Sequence, residues 1–388
     1  MSVSSLMPSL TRHEAVALLD GSRLACDGLL ESLLEVVDPR ARRGVRHGFA
    51  TILGIAVCAV LAGARSYQAI AEWASDLTPL IRRRLGVARG RAPSESTIRR
   101  ALQGVDDGEL DQIVSTWLAI RARAAAAPGQ PVVIAVDGKS ARGARTDGER
   151  RVHLLGAFDT GTGVVLGQAV VDGKTNEINA FAPLLDRVDV VGAIITADAL
   201  HTQVKHVDYL HARGAHWILT VKANHPSLLQ RLRSLPWPAV PVADRTHAKG
   251  HGRRESRTVK LTAIAAGIGF PHARQAIQVT RRTRRGRAAR WRTQTVYAIT
   301  DLDFHDITPA QVADAIRAHW GIENRLHWVR DVTFAEDLSQ IRTGNAPAVM
   351  ATLRNLAISI HRLTGAHNIA AAARHVSRHP ARAIRLVA

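Results

Sequence analysis

Apolar segments of two kinds alternate between residues 132 and 221, and their order restricts the folds open to the chain. Short runs of about 4 to 8 branched aliphatic residues are typical of buried strands, whereas apolar residues recurring every three or four positions are typical of helices. The pattern predicts strands at 132–136, 151–159 and 163–171, a helix at 177–187, a strand at 190–196, a helix at 202–213 and a strand at 215–221. The second and third of these strands should form a hairpin, because residues 160–163 between them read Thr-Gly-Thr-Gly, which favours a turn.

Three linked strands followed by helix, strand, helix and strand is the order of a ribonuclease-H-like sheet, so the pattern predicts a mixed α/β fold class. A linker rich in Ala, Pro and Gly separates this part from a preceding stretch that reads as helices throughout. The predicted domains are a helical leader at 1–37, a helical DNA-binding domain at 38–127, a ribonuclease-H-like domain at 128–365 with a basic insertion at about 228–305, and a basic tail at 366–388.

The chain carries a strongly positive charge. Its 388 residues contain 52 Lys and Arg against 33 Asp and Glu, which gives a formal net charge of +19 and a sequence pI of about 11.3. An excess of this size predicts a polyanionic partner, most economically nucleic acid. An anionic membrane surface is the other candidate, but the sequence lacks the basic amphipathic helix that would anchor the chain there.

The cysteines and the N-terminus favour a cytoplasmic setting. Cys26 and Cys58 occur without the spacing of a zinc site, and the first residues do not have the pattern of a signal peptide. The apolar run at 49–64 has 16 residues without a charge, whereas a membrane span needs about 18 or more. This run is therefore predicted to be a core helix.

Two of the predicted strands end in an aspartate. Asp137 closes Pro-Val-Val-Ile-Ala-Val-Asp, and Asp198 closes Val-Val-Gly-Ala-Ile-Ile-Thr-Ala-Asp. Because the two strands are neighbours in a ribonuclease-H-like sheet, the two carboxylates should lie close enough to share one ion. Mg²⁺ prefers oxygen ligands and keeps several waters, so a few carboxylates from separate elements suffice to hold it.

A helix around 319–331 supplies a third acidic group. Its apolar face carries Ile322, Leu326 and Val329. A half-buried structural helix would show the same pattern, but two strand-end aspartates and a later helical glutamate are the parts of a two-metal phosphoryl-transfer site. The polar face carries, at helical spacing, Trp320, Glu323, Asn324, His327 and Asp331. The sequence thus predicts two ions, Mg²⁺ or Mn²⁺, held by Asp137, Asp198 and Glu323.

Further basic segments lie outside these acids. A strand is predicted at 275–280, and the seven arginines of residues 281–292 beyond it predict a phosphate-binding hairpin or loop, with a solvated charge run as the alternative. Residues 93–102 have the pattern of the recognition helix in a helix-turn-helix, or else of an ordinary basic surface helix. Lys139 is predicted to lie beside Asp137 and near a phosphate. The Gly-Lys-Ser around it is not a nucleotide-binding P-loop, because Val133 stands where that motif needs a glycine.

Eight motifs then occur in an order that resembles one known family. They are Asp38-Pro-Arg-x-x-Arg-Gly-Val-Arg-His47, Ala-Val-Asp-Gly-Lys139, Lys174-Thr-Asn-Glu-Ile178, Thr-Ala-Asp-Ala-Leu-His201, Val-Lys-Ala-Asn224, His-Gly-Arg-x-Glu255, His-Trp-x-Ile-Glu-Asn-x-Leu-His-Trp328 and Asp-Val-x-Phe-x-Glu-Asp337. As an ordered set covering about 38 to 365, they resemble the H-repeat-associated (ISAs-type) insertion-sequence transposases of the DDE superfamily. The broader insertion-sequence signature has tyrosine, arginine, glutamate and lysine where this chain has Ile316, His319, Glu323 and Arg330.

The resemblance implies a bacterial DNA transposase, which cuts phosphodiester bonds at the ends of its element and joins the freed 3′-OH to target DNA. By motif position, Asp137, Asp198 and Glu323 take the three acidic roles, with two Mg²⁺ or Mn²⁺ ions as cofactors. The implied partners are double-stranded DNA and further copies of the chain, at the nucleoid and away from any membrane. The residues expected to contact DNA are Lys139, Lys174, Lys222, Asn224, Arg281, Arg282, Arg284, Arg285, Asn324, His327 and Arg330. The alternatives are a catalytically silent relic that binds DNA and a nuclease without joining activity.

Overall fold

The computed structural model describes residues 28–388, apart from residues 44, 88–89, 146–150, 172–175, 251, 265–267 and 287–289. Most of the predicted leader therefore lies outside the described residues. The part up to residue 127 is helical, as the sequence predicts. Its helices are α1 (Leu29–Ser32), α2 (Phe49–Leu61), α3 (Tyr67–Asp76), α4 (Pro79–Arg84), α5 (Glu95–Gly104) and α6 (Asp107–Ala125).

The apolar run at 49–64 forms α2, and it is the core helix that the sequence predicts. Eleven of the 13 residues of α2 are buried. At Gly54 a Cβ atom would come within 2.9 Å of the Leu30 side chain, so the glycine lets α1 pack directly on α2. In the described part of the chain, no helix is long and apolar enough to cross a membrane.

A single mixed sheet follows, and its first five strands are β1 (Val133–Arg145), β2 (Arg151–Asp159), β3 (Val164–Val171), β4 (Ile194–Ala197) and β5 (His216–Val221). The helices that follow β3, β4 and β5 are α7 (Glu177–Leu185), α8 (Val204–Ala212) and α9 (Pro226–Arg233). β1 and β3 are antiparallel to β2, whereas β4 is parallel to both β1 and β5. The spatial order β3-β2-β1-β4-β5 is that of a ribonuclease-H-like fold, so the predicted fold class is confirmed.

β1 continues beyond its predicted end at Asp137. The parallel pairing with β4 ends at Val136, opposite Ala197, whereas the antiparallel pairing with β2 continues through Ser140. Asp137 therefore marks the point at which β1 leaves the parallel ladder and not the end of the strand. The apolar run stops there because the later residues of β1 are no longer flanked by strands on both sides.

The basic insertion extends the same sheet. Its strands are β6 (Asp244–Gly250), β7 (Arg253–Ala263), β8 (Gln275–Arg285) and β9 (Arg292–Thr300), and they complete the order β5-β9-β8-β7-β6 by antiparallel pairing. The sequence predicted a strand only at 275–280, with the arginines beyond it in a hairpin or loop. That prediction was too short, because Arg281 to Arg285 also lie on β8, where successive side chains point to opposite faces.

Helices cover both faces of the sheet. α10 (Pro309–Ile322) packs Val312 and Ala315 against Ile194 and Ile277 on one face, and a π-helical turn at Glu323–His327 leads from it into α11 (Trp328–Val332). α7 lies on the other face, where Leu184 contacts the strand at Gly167.

The C-terminal helices join the two halves of the chain. α12 (Ala346–Leu363) is buried along most of its length and contacts α2, α6 and β3, so one apolar core continues from the helices into the sheet. The predicted basic tail, residues 366–388, contains two helices, α13 (Ile369–Ser377) and α14 (Ala381–Val387), that pack on α2. The predicted domain bounds remain predictions, because no break in the core marks them.

Candidate active site

Asp137 lies on β1 directly after its last residue paired with β4, and Asp198 follows the end of β4. Val136 of β1 pairs with Ala197 of β4, so the aspartate after each is aligned with the other. The Asp198 carboxylate accepts the N–H of Leu200 at 2.8 Å and caps the 3₁₀ turn Ala199–His201. The strand order thus brings together the two aspartates that the sequence assigns to one ion.

Glu323 reaches the same place from the π-helical turn. His327 Nδ1 lies 3.1 Å from Glu323 Oε2 and 3.7 Å from Asp137 Oδ2. Among the described residues, one ligand atom from each of these three side chains lies within 4.8 Å of the others, a spacing that suits a metal ion. Asp198 is not part of this group, although its charge acts on Asp137. On the opposite side of the turn Leu326 is buried, as the helical pattern predicts.

His327 is a site residue whose place the sequence reasoning missed. A DNA contact was predicted for it and remains a prediction, whereas the structure places the ring, only 4% exposed, between two carboxylates. The available signal was the Glu-x-x-x-His spacing, which sets two side chains one helical turn apart. His319 was missed as well, and its Nδ1 lies 3.2 Å from Thr196 Oγ1 on β4.

Burial and neighbouring charges shift several pKa values in the site. Burial raises the pKa of Asp137 above its ordinary value. The nearby imidazoles of His327 and His319 act in the opposite direction, and the charge of Asp198 adds to the increase. The hydrogen bond with His327 lowers the pKa of Glu323. Burial lowers the pKa of His319, against the opposite effect of the two aspartates. Carboxylates crowd one another here, and a divalent cation would relieve that repulsion.

The donor set fits the predicted ions. Carboxylate oxygens suit both Mg²⁺ and Mn²⁺, whereas imidazole suits transition metals better than Mg²⁺. Asp137, Asp198 and Glu323 are therefore suitable ligands for either ion. His327 is placed either to join them or to orient Glu323 through the hydrogen bond between them.

Lys139 lies on the same face of β1 as Asp137, two residues further on. Its ammonium donates to Asp331 Oδ2 at 2.7 Å and lies 4.0 Å from an Asp337 carboxylate oxygen. The side chain is 9% exposed, and its charge helps to lower the pKa of Glu323. The structure thus gives Lys139 a carboxylate partner next to the acids, and the predicted phosphate contact remains a prediction.

Arg330, for which a DNA contact was predicted, is buried and paired with a carboxylate. Its guanidinium is 2% exposed and donates to both oxygens of Glu336, from Nε at 2.8 Å and from Nη2 at 3.0 Å. Arg354 donates to the same carboxylate at 2.8 Å. This buried group of two arginines and one glutamate holds the segment after α11 against α12, so its role is structural.

The other predicted DNA contacts have more accessible positions. Lys222, Asn224 and Asn324 are exposed. The Asn224 amide donates to the Ala199 carbonyl, which follows Asp198 directly. Lys174 lies outside the described residues.

The arginine strands β7 to β9 present two different surfaces. On one, Glu255 accepts hydrogen bonds from Arg253, Arg257 and Arg281. The same surface holds a cavity of about 450 Å³, lined by Arg253, Thr283, Arg285, Arg290 and Arg292. On the other, the guanidinium carbons of Arg282 and Arg284 lie 5.4 and 5.1 Å from the ring centre of Trp291.

Comparison with protein families finds matches over most of the chain. The family model described as "Transposase DDE domain" matches residues 128–360, and the model described as "DDE_Tnp_1-associated" matches residues 30–118. "Putative transposase YncI" of Escherichia coli O157:H7 is 29% identical over 358 residues, which cover 87% of this chain and 88% of that protein. "H repeat-associated putative transposase YhhI" of Escherichia coli (strain K12) is 28% identical over 347 residues, which cover 86% of this chain and 89% of that protein.

Among solved structures, the "Cryo-EM structure of piggyBac transposase synaptic complex with hairpin DNA (SNHP)" aligns over 95% of this chain and 80% of that chain. Its sequence identity is 10% and its TM-score is 0.43, a similarity too low to bear on the fold.

Proposed function

Because the chain belongs to the transposase DDE domain family, we propose that it hydrolyses phosphodiester bonds at the ends of a bacterial insertion sequence and joins the freed 3′-OH to target DNA. The observation that carries this proposal is the convergence of Asp137, Glu323 and His327 beside Asp198. Separate carboxylates gathered at one point are what two-metal phosphoryl transfer requires. The substrate is double-stranded DNA, bound by more than one copy of the chain.

Asp137, Asp198 and Glu323 would hold the ions, Mg²⁺ or Mn²⁺. Bound there, two such ions activate the attacking oxygen and stabilise the leaving one. The protein itself supplies position: β1 and β4 fix the aspartates, and His327 donates from Nδ1 to the Glu323 carboxylate. His319 Nδ1 lies 3.2 Å from Thr196 Oγ1, which places its ring beside the aspartate after β4.

The DNA is proposed to extend from the acids over the arginine strands. Val259 and Ile277 pack in the apolar cluster beneath α10. Side chains separated by an even number of residues on a strand share a face. Arg253 therefore lies on the same face of β7 as Val259, and Arg285 on the same face of β8 as Ile277, which is the face that α10 covers. The cavity that these arginines line is therefore on the same side as the helix that leads to Glu323.

A second basic concavity lies on the other side of Asp198. Asn224 borders a cavity of about 490 Å³ that Lys205, His225 and Arg231 also line. Because Asn224 contacts the turn after Asp198, a strand held at the acids has cationic side chains on this side as well. We propose that this cavity and the exposed Lys222 contact the DNA next to the cleaved bond.

The test uses end-labelled DNA that carries the flanking repeats of the element, incubated with the chain and Mg²⁺ or Mn²⁺. Cleavage followed by joined products is expected. Cleavage without joined products would identify a nuclease instead, and binding without cleavage would identify a silent DNA-binding relic. Omission of the divalent ion should leave binding and remove both products.

Replacing Arg285 and Arg292 together with glutamine should weaken binding to all duplexes alike. If each contacts one phosphate, the slope of log affinity against log salt should shrink by about 2 units. Arg282 and Arg284 provide a matched pair with the same charge change on the opposite surface, and we expect a smaller effect from them. Fluorescence anisotropy at several salt concentrations measures both pairs. A larger change from Arg282 and Arg284 would place the DNA on the Trp291 side.

Metal binding should also stabilise the fold. At a Mn²⁺ concentration about 100 times the dissociation constant, binding adds about 2.7 kcal/mol to the free energy of unfolding. The melting temperature of the wild-type chain should therefore rise with Mn²⁺, and that of Asp137→Asn should not. Differential scanning calorimetry with and without the ion checks this. An equal rise in Asp137→Asn would mean that Mn²⁺ binds elsewhere.

A further inference from the structure

Behind Asp137, on the face of the sheet that points away from the proposed ions, lies a buried group of polar side chains. Gly138 follows Asp137 on β1 and so faces this side. A Cβ atom at Gly138 would lie 2.6 Å from Glu177 Oε1 and 2.7 Å from His153 Nε2, closer than real contacts allow. Gly138 has no left-handed backbone conformation. Glycine is therefore needed here because the carboxylate and the imidazole occupy the space of a side chain.

Hydrogen bonds connect the members of this group. Ser140 Oγ lies 2.8 Å from His153 Nδ1, and His153 Nε2 lies 2.5 Å from Glu177 Oε1. The second oxygen of Glu177 lies 3.6 Å from Nε2 of His201, which belongs to the 3₁₀ turn after β4. One carboxylate on α7 therefore touches both segments that carry the proposed aspartate ligands.

The group is buried and charged. Glu177 and His153 are each 4% exposed, and His201 is 1% exposed. Although burial raises it, the neighbouring His153 and His201 lower the pKa of Glu177 to about 2, so the carboxylate is ionised at neutral pH. A buried carboxylate is costly without donors, and here His153 supplies a hydrogen bond while the imidazole of His201 lies 3.6 Å from the other oxygen.

We propose that Glu177 is a positioning residue for the proposed metal site: its carboxylate braces β1 through Gly138 and His153, and the turn after Asp198 through His201. The inference rests on the proposed function and adds to it a residue that touches neither the ions nor the DNA. A brace on this side would fix the distance between Asp137 and Asp198, as partners of metal ligands generally do. It also gives the glutamate of the Lys-Thr-Asn-Glu-Ile motif a physical reason.

The test measures Mn²⁺ binding to the full chain by calorimetry, and the cleavage of end DNA as kcat and KM. Glu177→Gln keeps the shape of the side chain and removes its charge. We expect the Mn²⁺ affinity to fall by about 10- to 100-fold, the range for side chains that support metal ligands, and kcat to fall with little change in KM. His361→Gln is the control, because that histidine is buried as well but donates from Nε2 to the Leu61 carbonyl at 3.1 Å, within the helical part.

A double-mutant cycle separates bracing from folding. Gly138→Ala should displace the Glu177 carboxylate and weaken Mn²⁺ binding. In a chain that already carries Glu177→Ala, the new methyl group of Gly138→Ala no longer clashes with a carboxylate. Its effect on Mn²⁺ affinity should therefore be smaller there. We therefore expect non-additive changes in Mn²⁺ affinity, measured at a temperature at which all four proteins remain folded.

Unchanged Mn²⁺ affinity and kcat in Glu177→Gln, or additive effects in the cycle, would overturn the positioning role. Loss of folding in both Glu177→Gln and Gly138→Ala would also overturn it, in favour of a purely structural role. A wild-type chain that neither binds Mn²⁺ nor cleaves DNA would instead refute the proposed function itself.

Discussion

Asp137→Asn is expected to reduce DNA cleavage by at least about two to three orders of magnitude and to leave binding of element ends nearly unchanged. Asparagine keeps the size of the side chain but removes the charge that, with Asp198 and Glu323, would hold a divalent ion. The expected loss is that of a group which stabilises developing charge in the transition state. Cleavage rates of end-labelled DNA, measured beside gel-shift affinities, check both halves of this expectation.

Two further variants bracket that result. Glu323→Gln should behave as Asp137→Asn does, because its carboxylate belongs to the same group of ligand atoms. Asp314→Asn changes an exposed carboxylate of α10 that pairs with Arg317, and it should cleave at the wild-type rate. Metal-dependent cleavage by Asp137→Asn within about tenfold of wild type would remove that aspartate from the site.

The largest expected effect on stability comes from Glu336→Gln. The Glu336 carboxylate is 2% exposed and accepts hydrogen bonds from Arg330 and Arg354. Removing its charge leaves two buried guanidinium groups without a counter-ion, a change that typically costs about 3–5 kcal/mol. The total free energy of unfolding of a domain is only about 5–15 kcal/mol. Urea unfolding at neutral pH measures the loss, and Asp314→Asn, which breaks an exposed pair, should lose at most about 1 kcal/mol.

The pH dependence supplies a second readout for Glu336. Although burial raises it, the charges of Arg330 and Arg354 lower the pKa of Glu336 from the model-peptide value of 4.5 to about 2. A lowered pKa contributes stability that is fully present above the unfolded value and is lost as the pH falls toward the folded one. The difference between wild type and Glu336→Gln should therefore shrink between about pH 4.5 and pH 2. A difference that stays constant over this range would show that the carboxylate does not carry the effect.

The sequence predicted the sheet, and with it the adjacent positions of Asp137 and Asp198, because both depend on local information. Apolar runs locate the strands, and the order of strands and helices leaves few ways to arrange them. The alternation of apolar and polar residues likewise placed Leu326 in the core and Glu323 opposite it.

The errors concern contacts that local information does not encode. Arg330 is a cation at the position of the lysine in the broader signature, which suggested a DNA contact. Its partner Glu336 lies six residues later, and only the tertiary structure shows that the pair is buried. Glu177 lies 39 positions after Gly138 in sequence, and nothing short of packing reveals that its carboxylate fills the space beside that glycine. The strand predicted at 275–280 was too short because the dense arginines beyond it masked the β-branched Thr283 among them.

The π-helical turn at Glu323–His327 bears on how the chain tolerates changes of length. Removing one residue from an ordinary α-helix rotates everything beyond the deletion by about 100°. A π-turn already contains one residue more than an α-turn, so the helices on its two sides are each in register with their own surroundings. A deletion within it would restore a regular helix and leave α10 and α11 packed as before, while the Glu323–His327 contact would be lost. A one-residue deletion in this turn should therefore leave the chain folded and remove its cleavage activity.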